Sequence, residues 1–181
     1  MFTSVVDEEI NLCLINENFV PRYVRLAKDN FDYLSEWLAW PRNCKTEEDF
    51  KSFVKDSLHK YAERSSLVCA IEYKGIIIGT AGYNTIDFEL KKVEIGYWIA
   101  ADVQGKGIVT RVCKHLISYA FSDLKMDKVQ ISVAVGNVAS RAVCDRLGMT
   151  TEGIITNEEK VGSRILDHVI YGLHRPEISV Y

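Results

Sequence analysis

The spacing of apolar positions changes repeatedly along the chain, and each change marks an element. Residues 9–15 (EINLCLI) alternate loosely and predict a first strand. Residues 18–40 keep a helical period, with Pro21 placed to open the helix and Pro41 to close it. Thr46 and Asp49 form a capping-box-like start, because each side chain can reach the other's backbone N–H. Behind them Phe50, Phe53, Val54, Leu58 and Tyr61 make one apolar helix face. Residues 66–73 and 76–83 are β-rich runs joined by Lys74-Gly75, a hairpin signal, and 93–99 predicts another strand. After a loop at 104–107, Ile108, Val112, Leu116 and Ala120 recur at helical spacing as far as about Phe121. Residues 129–135 read as a strand, and 137–147 as a short helix that Gly148 ends. Two last strands, 151–156 and 165–173, are linked by residues 157–164.

Strands mixed with isolated crossover helices predict an α+β fold, a mixed sheet flanked by about four helices. Only three prolines occur in the 181 residues, and no linker or repeat interrupts them, so a single domain over 1–181 is expected.

Composition narrows the function classes. A net charge of -3 and a pI near 5.8 argue against a broad nucleic-acid footprint, which needs clustered Lys and Arg. No run approaches the roughly 20 apolar residues of a membrane span, and the acidic N-terminus lacks the features of a signal peptide. A soluble, cytoplasmic protein is expected. The five cysteines (Cys13, Cys44, Cys69, Cys113, Cys144) show neither CxxC nor Cys/His ligand spacing, which predicts reduced, buried thiols and no zinc site. His59, His115, His168 and His174 also lack ligand spacing and read as surface or packing residues, so no metal is expected.

The chemistry concentrates between Val93 and Met149. There a strand ends, Gln104-Gly105-Lys106-Gly107 follows, and an amphipathic helix starts at once. Such a loop directs backbone N–H groups at a helix N-terminus, where they and the helix dipole favour a phosphate. Glycine lets the backbone approach without a Cβ in the way. The loop fits neither a Walker A motif nor a GxGxxG dinucleotide fingerprint. No GxSxG elbow is present, and no Cys neighbours a His in sequence.

These blocks resemble the GNAT (Gcn5-related N-acetyltransferase) superfamily. Its loop reads Gln/Arg-x-x-Gly-x-Gly/Ala; here it is Gln104-x-x-Gly107-x-Val109, with Val in the last position. The second block, Asn137-x-x-Ser140 followed by Leu147-Gly148-Met149 and Glu152-Gly153, is similar too. Ile95-Gly96-Tyr97-Trp98-Ile99, Gln104 to Ile108 and Trp37-Leu38-x-Trp40-Pro41 resemble the Rim-type ribosomal-protein-serine N-acetyltransferases.

The resemblance implies a mostly antiparallel twisted sheet with splayed central strands and acetyl transfer from acetyl-CoA to an amine in a ternary complex. Gln104, Gly105, Lys106, Gly107, Ile108, Val109 and Thr110 would surround the pyrophosphate, and Tyr97, Trp98 and Ile99 would pair with the pantetheine arm. Asn137 would cap its helix and contact the pantetheine. Ser140 would protonate the leaving thiolate, and Arg141 would reach phosphates or solvent. Two carboxylates compete as base: Glu94 on the central strand and Glu159 between the last two strands, with Glu159 narrowly preferred. Trp37 and Trp40 would wall the acceptor groove, at least one of them also serving the core. Three functions share these residues: acetylation of a protein α-amine, plausibly ribosomal; acetylation of a polyamine, amino acid or aminoglycoside; and acyl-CoA-dependent regulation without turnover. A homodimer is an expectation of the family.

Overall fold

A computed structural model of the chain describes residues 2–176. Of the expected domain 1–181, residues 1 and 177–181 lie outside the described part. Eight strands form one sheet: β1 (Thr3–Val5), β2 (Ile10–Leu14), β3 (Leu67–Tyr73), β4 (Ile76–Asp87), β5 (Lys92–Ile99), β6 (Lys128–Ala134), β7 (Thr150–Val161) and β8 (Arg164–His174). Their spatial order is β1-β2-β3-β4-β5-β6-β8-β7, and every neighbouring pair is antiparallel except β5 and β6. Five helices accompany it where about four were expected: α1 (Val20–Asp29), α2 (Phe31–Trp37), α3 (Glu47–Ala62), α4 (Ile108–Ser122) and α5 (Val138–Arg146).

Local chemistry explains the agreements. Lys74 (φ 51°) and Gly75 (φ 79°) both take the left-handed conformation that a two-residue hairpin turn requires. The capping box closes, with Thr46 Oγ1 accepting from the Asp49 N–H and Asp49 Oδ2 accepting from the Thr46 N–H. Asn137 caps α5, and Gly148 (φ 70°) follows its end.

It also explains the departures. The stretch 18–40 is two helices because Asn30 turns its amide back to the Leu26 carbonyl (2.9 Å), offering the backbone an alternative to the helix. The Asn30 side-chain oxygen, Oδ1, then accepts the Ala101 N–H, tying the break to the end of β5. Pro41 starts a separate 3₁₀ turn, Trp40–Arg42. β1 was missed: its three residues are all exposed, so it has no buried face to pattern. Residues 157–164 were expected as a link, yet β7 continues to Val161 through register shifts and turns at Gly162 (φ 63°). Its exposed face left no alternation to read. Tyr61, placed on the apolar face of α3, is exposed.

Successive strand residues face opposite ways. Trp98 packs near Tyr23 of α1 and against Trp40, whereas Tyr97 meets Ser140 of α5. The first three helices therefore cover one face of the sheet, and α4 and α5 the other. Ile108, Val112, Leu116 and Ala120 are buried on the inner side of α4, as their spacing predicts.

Candidate active site

The two parallel strands share register only at Lys92/Lys128, Val93/Val129 and Glu94/Gln130. Beyond Glu94, β5 stays with β4 and β6 stays with β8, so β5 and β6 splay apart. The edge of β5 from Ile95 to Ile99 is thereby left without a strand partner on that side, a row of backbone groups open to an extended ligand. A bulge in β4 at Asn84 adjoins the fork, and a Cβ on Gly96 would lie 2.3 Å from Asn84 Oδ1, so that position admits only glycine without displacement. The fork opens into a groove of about 980 Å³. Every residue singled out from the sequence as a site residue lines it, except Arg141.

At one end lies the loop before α4. Gly105 and Gly107 both sit at φ 71°, and open space surrounds the place of each missing Cβ. Glycine is thus required for its backbone conformation, not for clearance. Gly107 occupies the N-cap position, and no side chain caps the helix. The first N–H groups of α4 face the groove unclaimed, which makes the end an anion site. Lys106 and Arg146 add positive charge there, Arg146 donating to Thr110 Oγ1 at 3.3 Å. Gln104 uses its amide differently, donating to the Tyr33 hydroxyl and so tying the loop to α2. Arg141 is not among the lining residues: its guanidinium donates to the Tyr171 hydroxyl (3.0 Å) and the Val135 carbonyl (3.3 Å). Arg146, one helical turn or so further on, is the arginine that lines it.

Midway, Asn137 Oδ1 accepts the Ser140 N–H at 3.1 Å, fixing the first turn of α5. Ser140 Oγ then lies 2.7 Å from the Tyr97 hydroxyl. Burial pushes the Tyr97 phenol far above its ordinary range, so it keeps its proton. No cysteine lines the groove. Burial pushes the Cys144 thiol up to about 12 and Cys44 to about 11, which leaves neither poised as a nucleophile.

The other end is acidic. Glu94, Glu158 and Glu159 line it. Glu94 is held by Gln130, whose Nε2 donates to Glu94 Oε2 at 3.0 Å. Glu159, on β7 opposite Leu166, lies with Oε2 3.5 Å from His168 Nε2. His168 Nδ1 in turn meets Ser132 Oγ at 2.8 Å. Neither His168 nor Ser132 was singled out from the sequence, where a histidine inside the apolar run 165–173 reads as packing. Trp37 roofs this end, its ring approaching Gly136 to 3.2 Å of where a Cβ would sit. The β7–β8 turn docks beside it: Arg164 donates to the Glu36 carbonyl, and Arg42 packs against Gly162. Trp40 both lines the groove and packs in the core, 5.2 Å from Trp98 and 6.0 Å from Phe50. Among the described residues no group of three or more His, Cys, Asp or Glu side chains is placed to hold a metal ion, and no helix is long and apolar enough to cross a membrane.

A splayed parallel pair, an uncapped glycine-led helix and a hydroxyl at the next helix start together define an acyl-CoA-dependent transferase site. Residues 20–150 match the acetyltransferase (GNAT) domain family, and the chain belongs to that family. It is 34% identical over 178 residues to YdaF of Bacillus subtilis (strain 168), covering 98% of this chain and 97% of that one. It is 27% identical over 169 residues to the ribosomal-protein-serine acetyltransferase of Escherichia coli (strain K12), covering 93% and 94%. The crystal structure of the microcin C7 self-immunity acetyltransferase MccE in complex with acetyl-CoA and AMP superposes with a TM-score of 0.89 at 29% identity, over 94% of each chain. The protein is an N-acetyltransferase that uses acetyl-CoA, and its resemblance to the Rim-type enzymes holds along nearly the whole chain.

Proposed function

We infer that the protein acetylates the α-amine of a protein N-terminus, with a ribosomal protein as acceptor, by direct attack in a ternary complex. The observation that carries the reading is the division of charge along one groove: Lys106 and Arg146 beside the uncapped helix, and Glu94, Glu158 and Glu159 at the far end. Phosphates suit the first end, and a cationic amine suits the second. The acidic end is roofed by Trp37 and by the β7–β8 turn that Arg164 fastens to α2. A roofed slot admits a flexible chain end more readily than a lysine on a folded surface. The E. coli relative acts, by its name, on a ribosomal-protein serine.

The residues present suit acetyl-CoA, which supplies the acyl group as an activated thioester. The loop 104–110 would hold the pyrophosphate on backbone N–H groups, with Lys106 and Arg146 nearby. Asn137 and the open edge of β5 would hold the pantetheine, and a β5 N–H would meet the thioester oxygen. Ser140, backed by Tyr97, would give its proton to the departing sulfur. Glu159 is assigned the amine proton in preference to Glu94, because Gln130 already occupies a Glu94 oxygen. The same reading carries a cytoplasmic setting and a homodimer as expectations.

The test is thiol release from acetyl-CoA with peptides beginning in Ser or Ala, set against polyamines and aminoglycosides. Peptide-dependent release with Glu159→Gln down about 100-fold and Glu94→Gln down less than about 10-fold is expected. Release with small amines alone would move the protein to the small-molecule class, for which the three groove carboxylates also speak.

A further inference from the structure

His168 is the polar group in the groove that nothing above employs. It is 9% exposed, and its Nε2 is buried without a hydrogen-bond partner, aimed at Glu159 Oε2 across 3.5 Å. Its other nitrogen is fixed at 2.8 Å by Ser132 Oγ. Ser132 and His168 come from β6 and β8, which pair along all of β6, so both are mounted on a rigid part of the sheet. One tautomer suits this placement: Ser132 donates to Nδ1, which leaves the ring proton on Nε2, 3.5 Å from the Glu159 carboxylate. The titratable residues that line the groove with His168 are Glu158 and Glu159 of β7, Glu94 and Tyr97 of β5, Tyr33 of α2, Lys106 of the loop before α4 and Arg146 of α5. The two cations among them, Lys106 and Arg146, belong to the α4 end. Arg164, the nearest basic residue of β8, is turned to the Glu36 carbonyl.

Resting on the assignment of Glu159 as base, we propose that Ser132, His168 and Glu159 work as one unit, in which the imidazole orients Glu159 and shares the proton the amine gives up. A bare carboxylate is a poor proton acceptor near neutral pH, whereas a histidine changes charge there. The proton balance fits. An incoming ammonium loses one proton before attack and a second as its nitrogen–carbon bond forms and the carbon–sulfur bond breaks. The pair takes each in turn as an imidazolium beside a carboxylate and returns it to water through the open groove. The thiolate takes one proton from Ser140, which water restores. His168 is a positioning residue, since it acts through Glu159.

Glutamine at position 168 can place an N–H where Nε2 stands and hold Glu159, but it cannot carry a proton; asparagine keeps only the Ser132 side. The decisive experiment is the pH profile of kcat/KM from pH 5 to 9 for the wild type, His168→Gln, His168→Asn and Ser132→Ala, with CoA affinity as the folding control. We expect His168→Gln to stay within about 5-fold of wild type at pH 8 while its acid limb moves down toward the carboxylate range. His168→Asn should fall about 10-fold or more at every pH. An unchanged acid limb in His168→Gln would overturn the proposal, leaving Glu159 to act alone. Imidazole ¹⁵N NMR of the wild-type protein with CoA bound gives a readout free of turnover. The Nε2–H tautomer should be seen, and Glu159→Gln should shift the Nε2 resonance, because the two groups lie 3.5 Å apart. The opposite tautomer, or an Nε2 resonance indifferent to Glu159→Gln, would refute the unit whatever the acceptor is. If no peptide is acetylated yet the NMR coupling holds, the acceptor assignment fails and the unit stands.

Discussion

The Tyr97 hydroxyl and Ser140 Oγ lie 2.7 Å apart, joining the open strand β5 to the first turn of α5 across the splay. Tyr97 is held in its neutral form by burial, so it stabilises a serine alkoxide by donation instead of competing for the proton. If the two hydroxyls form one relay to the sulfur, Ser140→Ala should lower kcat about 100-fold and Tyr97→Phe about 10-fold, with CoA affinity little changed. The double variant should be no worse than Ser140→Ala, because the relay is already cut. Steady-state kinetics decides it; losses that multiply would show that the hydroxyls act separately.

Gly107 holds φ 71° with nothing near its missing Cβ, so alanine there meets strain without collision. An L-residue in that conformation costs about 1–2 kcal/mol. The loop can relieve the strain only by turning its N–H groups, and those of the following helix turn, away from the anion site. Gly107→Ala should therefore weaken CoA binding about 5-fold or more and melt below wild type, by about 2–4 °C for each kcal/mol of strain that remains. Calorimetry measures the first quantity and a thermal melt the second. A variant that binds CoA normally would place the phosphate contacts elsewhere on the loop.

The loop before α4 and the start of α5 were legible in the sequence because their parts are local. Gln104 to Thr110 form a loop whose backbone conformation glycine placement reveals, and Asn137 with Ser140 form one helix start. The acceptor end was not legible, because it is assembled from non-adjacent strands. Glu159, His168 and Ser132 come from β7, β8 and β6, and only the pairing of those strands brings them together. Glu159 sat in an exposed stretch read as a link, since a strand whose residues are nearly all exposed loses the alternation that identifies it. Arg141 and Arg146 show the converse limit. Both sit on the same short helix, and the choice between them turned on Tyr171, thirty residues away, which claims Arg141.

In the first turn of α4, Arg111 holds the turn between β1 and β2, meeting Asp7 at 2.9 Å and Glu9 at 3.0 Å. Partial desolvation works to raise the Asp7 carboxyl. The Glu9 N–H, the Arg111 charge and hydrogen bond, and the Ile10 N–H outweigh it and hold the group below the usual carboxylate range. A carboxyl depressed in the folded state stabilises above its unfolded pKa, near 3.9, and that stability is lost as pH falls through the lower folded value. Solvent screening keeps the contribution to about 1 kcal/mol. Asp7→Asn should thus melt about 2–4 °C below the wild type at pH 7, with the gap closing in acid as the depressed Asp7 carboxyl is protonated. A gap that persists in acid would assign the loss to the turn's hydrogen bonds and not to charge.

Tyr23 offers the opposite case, a polar atom whose removal should help. Its ring stacks on Phe50 at a centroid distance of 5.9 Å and meets Trp98 edge-on, so the aromatic body is well used. The hydroxyl is not: Tyr23 is fully buried, and its oxygen has no hydrogen-bond partner. Burying a hydroxyl without a partner costs about 1–3 kcal/mol, a cost the unfolded chain escapes by hydrating it. Tyr23→Phe keeps the ring contacts and deletes that cost, leaving only a gap the size of one oxygen. The variant should gain about 1 kcal/mol, seen as a Tm higher by about 3 °C. Trp98 lines the groove and rests on Tyr23, so kinetics on the same variant reports whether the ring has stayed in place. A higher Tm with unchanged kcat is the expected pair of results. A loss of stability would mean that the hydroxyl is held by a buried water, which would then belong to the wall behind Trp98.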